Sequence, residues 1–187
     1  EHRKRTGKSI DLNGDGLADV IIGSRWPDVF AKKVFIVLGK KGLSGTHSVQ
    51  DADVKISGME GSDGQSFIVN SPGDWDNDGY DDIAIGIPYA NMSGIATGEV
   101  RIFYGRPCFP KTMSLDAPDL IIHNLKQPAP YGQFGHVIAS RVDVTGDNIE
   151  DLVIGSYSGS VFIFSGGQKI LGDMNVGNAI TIFSSKE

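Results

Sequence analysis

Cysteine is almost absent: the 187 residues contain one, Cys108. That excludes a disulfide framework within the chain and a cysteine-rich zinc site. With Pro107 and Pro110 beside it, Cys108 reads as a loop thiol. Histidine is scarce too, and His2, His47, His123 and His136 have no partner at i+4 and no cysteine nearby, so zinc ligation is not indicated. No apolar run approaches the ~18 residues that cross a membrane. Basic excess is also missing. The 17 Lys and Arg stand against 23 Asp and Glu, a net charge of -6, which argues against general nucleic-acid binding. The basic start, Glu1 to Arg5, has no apolar stretch behind it and is no signal peptide as it stands. Assembled nucleophiles are lacking: Gly155 to Gly159 has Tyr157 where an elbow would carry serine. Gly7-Lys8-Ser9 has the ending of a phosphate loop, but His2 stands where its first glycine belongs.

Glycine, by contrast, is abundant: 25 residues, about 13% against an ordinary ~7%. With eight prolines it punctuates the chain often, which suits short strands and turns better than long helices. Apolar residues at 40% suffice for a core, and the expectation is a β-rich globular unit.

The punctuation is periodic. One acidic loop occurs three times, as Asp11 to Asp19, Asp74 to Asp82 and Asp143 to Asp151, with first aspartates 63 and 69 residues apart. Each loop runs into an apolar stretch ending in glycine: Val20 to Gly23, Ile83 to Gly86 and Leu152 to Gly155. A second such stretch follows at Val34 to Gly39, Val100 to Gly105 and Val161 to Gly166. A third closes each unit at Val54 to Ile56, Leu120 to Ile122 and Ile180 to Phe183. Leading strands are expected at Phe67 to Val69 and Phe134 to Ala139. Short runs rich in Val, Ile and Phe between glycines are strands, not helices. The expected fold is therefore all-β. It consists of three four-stranded antiparallel units, 1–57, 58–123 and 124–187, arranged as β-propeller blades. A β-solenoid or open stack is the alternative. In the first unit the register puts His2-Arg3 at the leading strand, which is doubtful or truncated there.

Within each loop, positions 1, 3, 5 and 9 carry side-chain oxygens. They are Asp11, Asn13, Asp15 and Asp19; Asp74, Asp76, Asp78 and Asp82; and Asp143, Thr145, Asp147 and Asp151. Position 7 (Leu17, Tyr80, Ile149) can offer its backbone carbonyl. An all-oxygen set suits Ca²⁺, which takes 6–8 oxygens, whereas Zn²⁺ wants nitrogen or sulfur. Gly16 and Gly79 at position 6 allow the left-handed turn that wraps the ligands, and Asn148 stands there in the third loop. An EF-hand shares this spacing but needs a glutamate at position 12, where this chain has Ile22, Ile85 and Ile154 inside strands. Two to three Ca²⁺ ions are expected, held most tightly by the second loop, where all four positions are acidic.

Phe134-Gly135, the loop after it and Ile154-Gly155 resemble the FG-GAP repeat of integrin α-subunit propellers and related secreted proteins. The second unit departs from it with Gln65-Ser66 in place of Phe-Gly, and Gly86-Ile-Pro88 approaches its Gly-Ala-Pro half. The resemblance implies calcium in the loop between the first two strands of a blade. It also implies partner contacts on the opposite face, where Arg25, Trp26, Tyr89 and Tyr157 fall between the second and third strands. It points to an extracellular or cell-surface adhesion module without catalysis, binding a protein or glycan. Alternatives in other classes are the non-catalytic propeller of a secreted phospholipase acting on glycolipid anchors, and a propeller lectin. Asn91-Met92-Ser93 is a candidate glycosylation sequon. Three blades leave two apolar faces, so a longer chain or a second copy is expected to complete the ring.

Overall fold

The computed structural model describes residues 9–23, 33–58, 67–92, 95–124 and 132–184. Strands β1 (Val20–Gly23), β2 (Lys33–Val37) and β3 (Val54–Ser57) form the first antiparallel sheet. The second is built from β4 (Ile68–Gly73), β5 (Asp82–Ile87), β8 (Glu99–Phe103) and β10 (Leu120–His123), all antiparallel. The third comprises β11 (Phe134–Ile138), β12 (Leu152–Ser156), β13 (Val161–Phe164) and β15 (Thr181–Phe183). Between the second sheet's middle strands, β6 (Asn91–Met92) and β7 (Ile95–Ala96) make a small ribbon. The first unit's leading segment and the Gln65-Ser66 departure lie outside the described residues.

Two strands escape the spacing argument. The segment β9 (Thr112–Ser114) leaves the second repeat and pairs in parallel with β3, on the outer edge of the first sheet. The segment β14 (Gly172–Asn175) does the same from the third repeat onto β10. The first and second sheets are thus each extended by the next repeat, the second to five strands. Both segments are short and mostly polar, and the one apolar residue in each, Met113 or Met174, supplies the packing. Local pattern gives no strand signal there, because the partner edge lies in another repeat.

The sheets stack face to face. Val34, Ile36, Val54 and Ile56 of the first meet Ile83, Ile85, Ile87 and Phe103 of the second. Ala84, Val100, Ile102, Leu120 and Ile122 on the second sheet's other face meet Phe134, Ile138, Leu152, Ile154 and Phe162 of the third. The middle sheet is therefore apolar on both sides, and all of β5 is buried. This is why its sequence runs apolar without alternation.

Candidate metal centres

Each acidic loop is a chain of side-chain caps on its own amides. The position 1 carboxylate takes two. Asp11 accepts from Gly14 and Gly16, Asp74 from Asp78 and Gly79, and Asp143 from Gly146 and Asn148, at 2.6–3.1 Å. Position 5 accepts from position 7 in all three, through Asp15, Asp78 and Asp147. The loops therefore share one backbone path, and short polar side chains that bond nearby amides select it. Two residues per loop are left-handed. Position 6 was legible from Gly16 and Gly79, and Asn148 takes it at φ +69°. Position 4 (Gly14, Asn77, Gly146), also at positive φ, was missed, although Gly and Asn are the residues that tolerate it.

The aspartate at position 9 has a further duty. Asp19 accepts from Leu12 and Gly39, both at 2.7 Å; Asp82 from Trp75 and Gly105; Asp151 from Val144, Thr145 and Gly166. Each ties the start of its loop to the glycine that follows β2, β8 or β13. A carboxylate oxygen has a second lone pair, so this bonding leaves capacity for a cation.

The loops are also laced to one another. Asp81 is fully buried and accepts from the Asp11 amide at 2.7 Å and from Arg141 at 2.8 Å, while its own amide donates to Asp11 O. One side chain of the second loop thus holds the start of the first and the approach to the third. A second link repeats across both sheet boundaries: Arg106 N donates to Leu12 O and Gly167 N to Trp75 O.

In the second loop, ligand atoms of Asp74, Asp76 and Asp78 lie within 4.8 Å of one another. Oxygens that far apart can share one ion at the 2.3–2.6 Å usual for calcium. Asp76 Oδ2 is buried and receives no hydrogen bond among the described residues. Lys169, from the third repeat, brings Nζ to 2.9 Å of that oxygen and 2.8 Å of Asp78 Oδ2. The first contact compensates charge without the alignment of a hydrogen bond. The donor set fits a hard cation. Asn13 and Thr145 replace the position 3 carboxylate in the other loops, which lowers their charge.

Burial raises the carboxyls here. Asp74 is pushed up to about 6 by desolvation, with Asp78 and Asp76 adding like charge. Asp82 is pushed up to about 8 by desolvation, with Asp76 again contributing. Asp76 is raised by desolvation and by Asp78, against the opposing Lys169. Asp19 is raised by burial as well. Such shifts mark sites where the ionised form lacks compensation that a bound cation would supply.

The other candidates divide. Tyr89 and Tyr157 lie just past the far ends of β5 and β12, a strand's length from the acidic loops, and both side chains are exposed. Tyr157 meets the His136 ring edge to face at 5.5 Å. Arg25 and Trp26 fall outside the described residues. Asn91 sits on the β6–β7 ribbon, its backbone paired with Ala96, at the same end as Tyr89.

No protein-family model matches the chain. It is 33% identical over 166 residues to integrin alpha-PS2 and 34% identical over 159 residues to integrin alpha-PS5, both of Drosophila melanogaster. To human integrin alpha-6 it is 31% identical over 163 residues. The matches cover 82%, 78% and 83% of this chain but only 11%, 14% and 12% of those proteins. Together with three stacked, mostly antiparallel sheets led by acidic loops, this likeness establishes the architecture. The chain is an integrin α-like FG-GAP segment, and its sheets are β-propeller blades.

Proposed function

We propose that this segment is a calcium-stabilised, non-catalytic adhesion module, displayed outside the cell and binding a protein partner on the blade ends opposite the acidic loops. The observation that carries the reading is the Asp74–Asp76–Asp78 cluster, whose ligand oxygens lie within 4.8 Å of one another, in a loop form the chain repeats. The repeats are taken as 1–57, 58–123 and 124–187. Calcium is structural in this reading. It would be held by positions 1, 3, 5 and 9 with the position 7 carbonyl, and no step of chemistry is asked of it. The likeness to integrin α subunits supports an extracellular adhesion role; the partner end rests on exposed Tyr89 and Tyr157.

Binding only to the folded chain stabilises it, and a site with Kd near 10⁻⁴–10⁻³ M gains about 1 kcal/mol in millimolar calcium. Thermal melting of the 187-residue chain, in millimolar calcium and in excess chelator, tests this. The expected result is a higher Tm with calcium, and Asp78→Ala should lose part of the gain. An identical Tm in both solutions would sink the reading. If Asp78→Ala melted like the parent in both yet lost its partner, calcium would belong to the binding face instead.

A further inference from the structure

We propose that Lys169 is an intramolecular competitor for the second loop. Its ammonium holds Asp76 and Asp78 when no divalent cation is bound and is displaced when one arrives, which sets the affinity of that loop. The proposal rests on the reading of the loop as a cation site.

The contact is not a chance meeting of surface charges. Lys169 sits on the connection between β13 and β14, and that connection is pinned on both sides of it to the second repeat. On one side Gly167 N donates to Trp75 O of the loop itself, at 2.7 Å. On the other, Ile170 N donates to Tyr104 Oη, and the same hydroxyl donates to Ile170 O at 2.7 Å. The ammonium also lies 4.5 Å from the centre of the Tyr104 ring, a favourable placement for a cation. Backbone anchors and an aromatic floor thus aim Lys169 at two oxygens of positions 3 and 5.

Two cations cannot share those oxygens. An ion within ligand distance of Asp76 Oδ2 and Asp78 Oδ2 would lie close against an ammonium 2.8–2.9 Å from the same atoms, and like charges at that range repel strongly. The side chain has a way out, because Lys169 is 45% exposed and its stem is long and flexible. Metal-free, the loop is then partly neutralised already; on loading, the ammonium must be released. The first loop has no such device at the equivalent place, three residues past the glycine ending the strand, where Cys108 stands. Carboxylate count alone would make the second loop the tightest. Lys169 offsets that advantage.

The test is calcium titration of the full chain by calorimetry for the parent, Lys169→Met and Lys169→Gln, with Asp78→Ala identifying the second loop's signal. A partly exposed ion pair contributes modestly, so the neutral variants should bind calcium at that loop roughly three- to tenfold more tightly. They should also melt lower than the parent in chelator. In the parent itself, calcium should raise labelling of Lys169 by an amine-reactive reagent, read by mass spectrometry. Unchanged or weaker affinity in both neutral variants overturns the proposal, as does Lys169 labelling that calcium does not change. If Asp78→Ala loses a calcium site while the Lys169 variants bind as the parent does, only this proposal fails. If parent and Asp78→Ala titrate alike, the loop is not a cation site and both readings fall.

Discussion

At the scale of single residues, Asp81 shows how a buried charge can serve a fold without serving a ligand. It reaches out of its own repeat in both directions, with Asp11 N and the Arg141 guanidinium on its carboxylate. Arg141 also donates to Ser9 O and Glu150, so losing Asp81 would not strand it wholly, but it would leave a charged group half-paired near the interior. Removing one partner of such a pair costs more than the pair contributes. Asp81→Ala should destabilise the chain by about 3 kcal/mol, read as a lower urea midpoint. Asp81→Asn keeps an oxygen for one donor and should cost less than half as much. Equal losses in the two variants would mean that charge, not hydrogen bonding, is what Asp81 supplies.

The elements explain the glycines of the repeat signature. Gly86, near the end of β5, and Gly135, in β11, sit back to back across the boundary between the second and third sheets. A Cβ on Gly86 would overlap Gly135 O, and one on Gly135 would stand 2.9 Å from Glu99 O and 3.2 Å from Gly86 Cα, at φ +85°. Neighbouring blades approach this closely only where both strands lack side chains. Gly135→Ala should therefore destabilise by more than about 2 kcal/mol. Gly146→Ala is the control, since its φ of +77° is similar but its Cβ would meet nothing within 4 Å. That change should cost about 1 kcal/mol, the conformational term alone. Comparable losses in chemical denaturation would show that backbone strain, not blade contact, governs Gly135.

For the whole molecule, the third sheet is the informative one. The residue paired with the first valine of β2, β8 and β13 is Ile56 in the first sheet, Ile122 in the second and Phe183 in the third. Ile56 and Ile122 are buried against the following blade, whereas Phe183 is 59% exposed and Val137 on the same sheet 57%. An apolar face of that kind calls for a cover. The isolated chain is expected to self-associate in millimolar calcium, giving a light-scattering mass above that of one chain, and Phe183→Asp should shift it toward monomer. A strictly monomeric, cooperatively folding parent would contradict this and require the terminal loops to cover the face themselves.

The sequence by itself determined the strands, the loops and the number of repeats, because these are local. A run such as Ile83-Ala-Ile-Gly86 bounded by glycine has few states available, and an aspartate followed by glycines caps its own turn wherever it is placed. Even Asn148 could be assigned its left-handed conformation from residue type. What the sequence could not carry is every relation between repeats. The strands β9 and β14 are too short and polar to announce themselves and exist because an edge in the preceding sheet is there to receive them. The double duty of Asp19, Asp82 and Asp151 on glycine amides 15 to 23 residues away is equally invisible in a loop motif. So is Lys169, which lies 91 residues from Asp78 in the chain and 2.8 Å from it in space. Spacing encodes what neighbours in sequence do to each other; charges and strand edges that meet only when blades stack are decided by the tertiary fold.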